Sequence, residues 1–554
     1  LTENIPLDTE DRKHIALKDT NSLQRTQEET TEDIDTVKSV IEKMPMSIIC
    51  SARGSLNLYD FYRFYEMPLS RRFYSIGKRG TLTDFEAVSN LRKDVVKELD
   101  NKCISISTTI KRPVVYSTQM AIALGKQLQI DTKSILNIAS VPQLKSLLQD
   151  ELKVKLKTDR KTHKESTGEE SLNEAFALTG NQILKDILRI RELNKILGTN
   201  IDSKFNENVF YSCESVTGTV TGRRASRKNF LGYGSNGQNQ TTHSDLGERW
   251  QGVFIARRNH IFIYVDQASA EEWVVQGIIA DVSGCTKGIQ ELEESIRSGI
   301  SRHAILASQL FGLPISQVNN KECLEYFIGK KTRHACNYDM RENTMAAQMA
   351  AAGFPVKIDF CKAIQTKFHE VEPNIRGVFH KYIRQELCSK HKLITPLGRE
   401  RVFHGLRPYG DNEKTFREGY AQIPQSTIGD NNGMAILFME THSPGLVLRD
   451  GHDSMLCETF DNFGAVWDCV QLMRRAYDRV LTFPNGFTVK IPVDFKIGYS
   501  IKGLKKCPEV SSETGLRNTF ATLVRPQSPQ LVFTSGVLSA PSVQLSNAIP
   551  GSIG

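Results

Sequence analysis

Residues 181–200 read NQILKDILRIRELNKILGTN, with Ile183, Leu184, Ile187, Leu188, Ile190, Leu193 and Ile196 at three- and four-residue steps. That period is the apolar stripe of a helix, and basic residues occupy its other side. The same spacing in LTDFEAVSNLRKDVVKELDNKCISI predicts a second helix, and SVPQLKSLLQDEL opens on Ser-x-Pro, a helix-start signal. Residues 55–205 are therefore expected to be mostly helical, interrupted at 157–170 by the charged loop KTDRKTHKESTGEE. From 206 to 290 the pattern changes to strands and turns. Its clearest strand is HIFIYVDQ at 260–267, a buried β-branched and aromatic run.

Helices are expected again over 290–390, then a hairpin at 391–405 and a helix at about 421–441. LVLRDGHDSMLCETF (446–460) reads as two apolar strands around a Gly-His-Asp-Ser turn. A helix at 464–480 and two strands in TVKIPVDFKIGYSI follow. The polar stretch 1–48 reads as a tail or the remnant of an upstream domain, and the Ser-, Pro- and Gln-rich stretch from about 509 as a poorly ordered tail.

Composition narrows the class. At 554 residues the chain holds two to four domains or subdomains of about 100–200 residues each. Hydrophobic residues make up 39% and charged residues 24%, the balance of a globular protein. No apolar run approaches the ~20 residues of a membrane span, and no signal peptide stands at the start, so a soluble intracellular protein is expected. The eleven cysteines include no CxxC pair, which disfavours a zinc ribbon or a disulfide framework. A net charge of +8 points only weakly to a polyanionic partner.

Three stretches carry candidate chemistry. The strand at 260–267 ends on Asp266, costly unless paired or metal-bound, and Asp453 ends the second such segment. Brought together, the two would repel, and a pair of divalent cations would resolve that repulsion and support phosphoryl transfer. Helix caps and turn aspartates are the commoner explanation. In YFIGKKTRHACNYDMREN, Lys330, His334, Tyr338 and Arg341 fall on one helical face, flanked by Arg333 and Asn337: cations for phosphates and a ring for a base. GYGSNG (232–237) fits Gly-x-Gly-x-x-Gly, but no amphipathic helix follows, so a glycine-rich turn close to backbone or phosphate is expected instead of a dinucleotide site. LDTED (7–11) resembles an exonuclease metal motif but lacks a preceding strand.

Taken in order, these stretches resemble the A-family DNA polymerases over about residues 60–505, in a phage-like branch. The resemblance implies an α+β right-hand architecture with an antiparallel palm sheet, helical thumb and helical fingers, without a visible exonuclease domain. It divides the chain into a lead-in at 49–125, thumb at 126–205, palm at 206–290 and 421–508, and fingers at 291–420. VDQASAEEW is similar to the first palm motif: Asp266 and the Gln267 carbonyl would hold metal, and Glu271 would crowd the sugar 2′ position. GHDSM is similar to the second, with His452 by the primer terminus and Asp453 on metal. In VTGRRASRKNF…GSNGQNQ, the resemblance places Arg223, Asn236, Gln238 and Asn239 against primer and template; IPQSTIGD likewise puts Gln425 near the minor groove. Lys330, Arg333, His334 and Tyr338 would grip the dNTP, and the basic helix at 181–200 would follow duplex phosphates.

Four positions depart from the commonest pattern: His334 stands where Lys is usual, Asp339 where Gly is, Glu342 where an aromatic is, and Ser454 where Glu is. The implied reaction is primer extension with two Mg²⁺ per site, on primer–template DNA and dNTPs, in replication or repair, with an accessory or processivity protein as a possible partner. A single-subunit RNA polymerase or reverse transcriptase-like copier, and a catalytically degenerate DNA-binding subunit, are the rival readings.

Overall fold

The computed structural model describes residues 58–158, 165–203, 205–216, 218–238, 245–354, 356–407 and 411–524. The 7–11 stretch and Asn239 lie outside them.

A helical run from Leu58 passes through a π turn (Tyr62–Glu66) into α1 (Met67–Arg79). Helix α2 (Phe85–Ile110) starts where Asp84 accepts the Ala87 N–H at 3.0 Å, satisfying one of the amides that a helix start leaves bare. Helix α3 (Gln182–Ile196) is capped by Asn181 in the same way. Val88, Leu91, Val95 and Leu99 of α2 share one hydrophobic core with Ile183, Leu184, Ile187 and Ile190 of α3. Helix α2, within the stretch read as the lead-in at 49–125, thus shares its core with α3 of the 126–205 stretch. The basic side of α3 differs from expectation. Arg189 is paired with Glu98 at 2.7 Å and Glu192 at 2.8 Å, and Arg191 bonds to Thr167, which leaves Lys185 and Lys195 as its exposed cations.

Strands β1 (Cys213–Ser215) and β2 (Ala225–Arg227) form a small ribbon. The GYGSNG stretch after it is a turn: Gly232 and Gly234 have φ of 79° and 76°, and a Cβ on Gly234 would stand 1.7 Å from the Tyr211 carbonyl. That close approach to backbone is what the glycine permits.

Strand β3 (His260–Gln267) follows, with bounds matching the sequence pattern, and then the helices α4 (Ala270–Ser283), α5 (Arg302–Phe311), α6 (Leu324–Asn337), α7 (Glu342–Ala351) and α8 (Lys381–Lys390). The hairpin β4 (Lys392–Ile394) and β5 (Glu400–Val402) leads into α9 (Glu413–His442), a 30-residue helix with Pro424 in its interior. From Gly419 onward α9 is buried on nearly every side, as a helix through the middle of a protein must be. Strands β6 (Val447–Asp450) and β7 (Ser454–Phe460), helix α10 (Phe463–Tyr477), and strands β8 (Val493–Gly498) and β9 (Lys505–Cys507) complete the sheet.

Its order is β6-β7-β3-β8-β9, with each neighbouring pair antiparallel. Central β3 is apolar on both faces because α9 and α10 pack behind the sheet and a second cluster, with Phe262, Leu448 and Leu456, lies on the other side. Beyond it, α11 (Glu513–Ala521), capped by Ser512, packs on β9 and α10. The disordered tail expected from 509 therefore does not begin there. Leu516 is fully buried, an anchor that the polar composition around it hides.

Candidate active site

The register of the sheet decides what meets. Asp266, near the end of β3, lies opposite Ser454 of β7 on one flank and Asp494 of β8 on the other. The turn between β6 and β7 brings Asp453 to the same end: the Gln267 N–H donates to the Asp453 carbonyl at 3.0 Å, and the Gln267 side chain does so at 3.2 Å. Gln267 also accepts from Asn431 at 2.6 Å, so its side chain clamps the turn to α9. Asp266 is half-buried and Asp453 exposed. Among the described residues, the Asp266 carboxylate has no hydrogen-bond or ion-pair partner. Burial first, then the charge of Asp453, pushes its pKa up to about 7, while Lys496 pulls it down. Two unneutralised carboxylates at one strand end fit hard divalent cations by donor chemistry.

Directly beneath lies Asp450, fully buried. It takes both arms of Arg224, Asn432 Nδ2 at 2.7 Å, Gln238 Nε2 at 3.1 Å and the His452 N–H at 3.1 Å. Gln238 therefore braces the turn from below. Asn236 closes its own loop by accepting the Gln238 N–H at 3.0 Å. His452 sits at φ 74°, a left-handed conformation costly for a side chain but one that aims the turn, and burial holds its imidazole below its usual pKa.

A second cluster stands beside the carboxylates. Glu271, in the first turn of α4, accepts from Arg223 at 2.8 Å and from the Tyr338 hydroxyl at 2.5 Å, with His334 at 3.5 Å. His334 and Tyr338 meet edge to face, ring centroids 5.2 Å apart. Lys330 and His334 are exposed on α6 and Tyr338 is buried at its end.

Arg333 lies on the opposite face of α6, 2% exposed, bound to Glu372 at 3.0 Å and Glu272 at 3.4 Å in a network that includes Arg302. It ties α6 to α4 and α5 and is not one of the exposed cations, because a position three beyond Lys330 turns about 300° round the helix while the core claims that side. Arg341 also leaves the face: α6 ends at Asn337, Asp339 adopts φ 51°, and the next helix starts after Arg341. Gln425 is half-buried on α9, next to Pro424. Sequence reasoning missed Asp450 and Arg224; the pair of aspartates in RDGHDS was the available signal for the first.

A model described as DNA polymerase family A matches residues 116–500. The chain belongs to DNA polymerase family A. As a member of that family it is a DNA-directed DNA polymerase, a nucleotidyltransferase of a family that generally uses divalent metal ions. The fold is similar to that of the POL domain of Pol1 from M. smegmatis in complex with DNA primer-template and dNTP, with a TM-score of 0.62 and 19% identity over 79% of this chain and 70% of that one. No curated protein sequence matches the polymerase. None of its described helices is long and apolar enough to cross a membrane.

Proposed function

We propose that this polymerase adds dNMP from dNTP to a primer 3′-hydroxyl, with Asp266 and Asp453 holding two Mg²⁺ ions. The observation carrying this reading is the meeting of two carboxylates at one end of the central strand, neither bonded to another residue among the described ones, fixed by the Gln267 clamp. Divalent cations, when bound, lower the pKa of the attacking hydroxyl and stabilise the leaving pyrophosphate.

The protein's own groups do the rest. Lys330 and His334 face solvent on α6, where they neutralise the triphosphate, and the imidazole of His334 is placed to act as a proton donor to the leaving group. Tyr338 stacks on the incoming nucleotide, and its hydroxyl bond to Glu271 fixes that ring against the carboxylate that crowds a 2′-hydroxyl. Arg223, held by Glu271, and His452 lie on the primer side; Gln425 faces the minor groove. The likeness to a polymerase solved with DNA primer-template and dNTP supports these partners.

Mg²⁺-dependent extension of a labelled primer tests the reading. Asp266→Ala and Asp453→Ala should each lower the rate by about 10³-fold or more while leaving DNA binding nearly intact, since each removes a metal-holding carboxylate. Robust extension by both variants would overturn the assignment, and preference for rNTPs over dNTPs would reassign the substrate.

A further inference from the structure

Residues 67–80 and 223–238 contain no Asp or Glu, and each segment carries four Lys or Arg. The chain as a whole sets 71 basic residues against 63 acidic ones, so this one-signed charge is local. The two segments adjoin, because α1 packs on the ribbon of β1 and β2. Arg71 and Lys78 of α1, and Arg227 and Lys228 at the end of β2, are exposed. Among the described residues none of these four is paired with a carboxylate, whereas Arg79, Arg223 and Arg224 are each bound to one.

Aromatic rings lie among the unpaired cations. Tyr74 shares a face of α1 with Arg71 and Lys78, at three- and four-residue steps. Its ring centroid is 5.3 Å from that of Phe230, and the Lys78 ammonium stands 4.3 Å from it. Tyr74 is 48% exposed, Phe230 57% and Leu231 64%. The tip that carries the last two is tightly bonded. Asn229 Oδ1 accepts the N–H groups of Leu231 and Tyr233 at 3.0 Å each, and the Asn229 N–H donates to the Tyr233 carbonyl at 3.0 Å. Large apolar side chains held outward by a fixed backbone mark a surface that meets something. Rings edged by unpaired cations suit unstacked bases and their phosphates. A duplex keeps its bases stacked and offers the rings nothing, and an apolar protein partner would bury four unmatched charges.

We propose that this face, with Tyr74 and Phe230 as stacking rings and Lys78 and Lys228 as phosphate contacts, binds single-stranded DNA. Only five residues separate Lys228 from Arg223, which is bonded to Glu271, a span of no more than about 18 Å. An unpaired strand at the active site is therefore within reach of the patch. That route rests on Asp266 and Asp453 being the catalytic pair; the binding itself does not.

Fluorescence anisotropy of labelled oligo-dT with the full chain, without dNTP or divalent cation, tests this apart from turnover. Tyr74→Ala and Phe230→Ala should each weaken binding by about 5- to 100-fold, the scale of losing one base-stacking ring, and Phe230→Tyr should keep it. Lys78→Gln combined with Lys228→Gln should flatten the slope of log affinity against log salt by about 1.4, the share of two phosphates on a single strand. A blunt-ended duplex should bind the parent and all variants alike. Oligo-dT carrying iododeoxyuridine should crosslink to Tyr74 or Phe230 on irradiation, as located by mass spectrometry of the peptides. The four side chains are exposed, so the variants are expected to fold, and their melting temperatures verify it. Unchanged oligo-dT affinity in both alanine variants, or crosslinks confined to other parts of the chain, would leave the patch to a protein partner and overturn the proposal. Equal losses on oligo-dT and duplex would make it a general phosphate contact and overturn it as well.

Discussion

Asp450 and Asp453 stand three residues apart at one turn and have opposite fates. Asp450 is fully buried, and every oxygen is engaged by Arg224, Asn432, Gln238 or the His452 amide. Asp453 is exposed, and Asp266, which it faces, is half-buried with no hydrogen-bonded partner. The saturated acid builds the turn, and the unsaturated pair is left over for chemistry. Charge alone does not separate the two roles; burial together with completeness of pairing does.

The sharpest way to break the contrast is to make the same change on both sides. Asp450→Asn should cost about 3–5 kcal/mol, since it leaves the buried Arg224 guanidinium uncompensated. Asp266→Asn should leave stability unchanged or raised at pH 8, because it removes a charge whose folded-state pKa is already forced up to about 7. Urea unfolding of the two variants compares them directly, and equal losses would erase the distinction.

Glu214 is the half-paired case. One oxygen accepts from Ser212 at 2.9 Å, the other has no partner, and burial, then Asp450, pushes the pKa to about 7. The folded state holds this proton where the unfolded chain has released it, so the contribution of Glu214 to stability is present below pH ~4.5 and is lost as pH rises towards 7. Glu214→Gln should therefore raise stability at pH 8 by about 3 kcal/mol, at 1.36 kcal/mol per pKa unit, and change little at pH 4. A pH series of melting temperatures checks the sign.

The smallest effect is expected at Asp339, where the strain is in the backbone: φ is 51° and, among the described residues, the carboxylate pairs with the exposed Arg376 at 3.3 Å. Asp339→Gly should gain about 1 kcal/mol by relieving a left-handed conformation, and the midpoint of urea unfolding measures it.

Much of this was legible in the sequence, for identifiable reasons. The run at 260–267 became β3 with its predicted bounds because a strand buried on both faces shows as unbroken apolar residues. The hairpin around His452 and the stripe at 181–200 followed from periodicity in the same way. What stayed hidden depends on partners far away in the chain. Arg333 reads as a cation on a polar helix, and only the fold brings Glu272 and Glu372 to it. The ion pairs of Arg189 and the carboxylate beside Asp266 are likewise facts of register and tertiary packing. Helix α9 begins eight residues earlier than expected at 421, because Glu413–Glu418 is charged apart from Phe416 and Thr415 and so shows almost no apolar period.

The proline within α9 gives that helix the mechanics of a scored beam. Pro424 has no N–H to offer, so the Tyr420 carbonyl lacks its usual helical donor, and bending there sacrifices one bond fewer than bending elsewhere. On one side of the score, α9 packs against α8; on the other, Asp430, Asn431 and Asn432 are bolted to Arg399, Gln267 and Asp450. The leading half can flex while the trailing half keeps the carboxylates aligned.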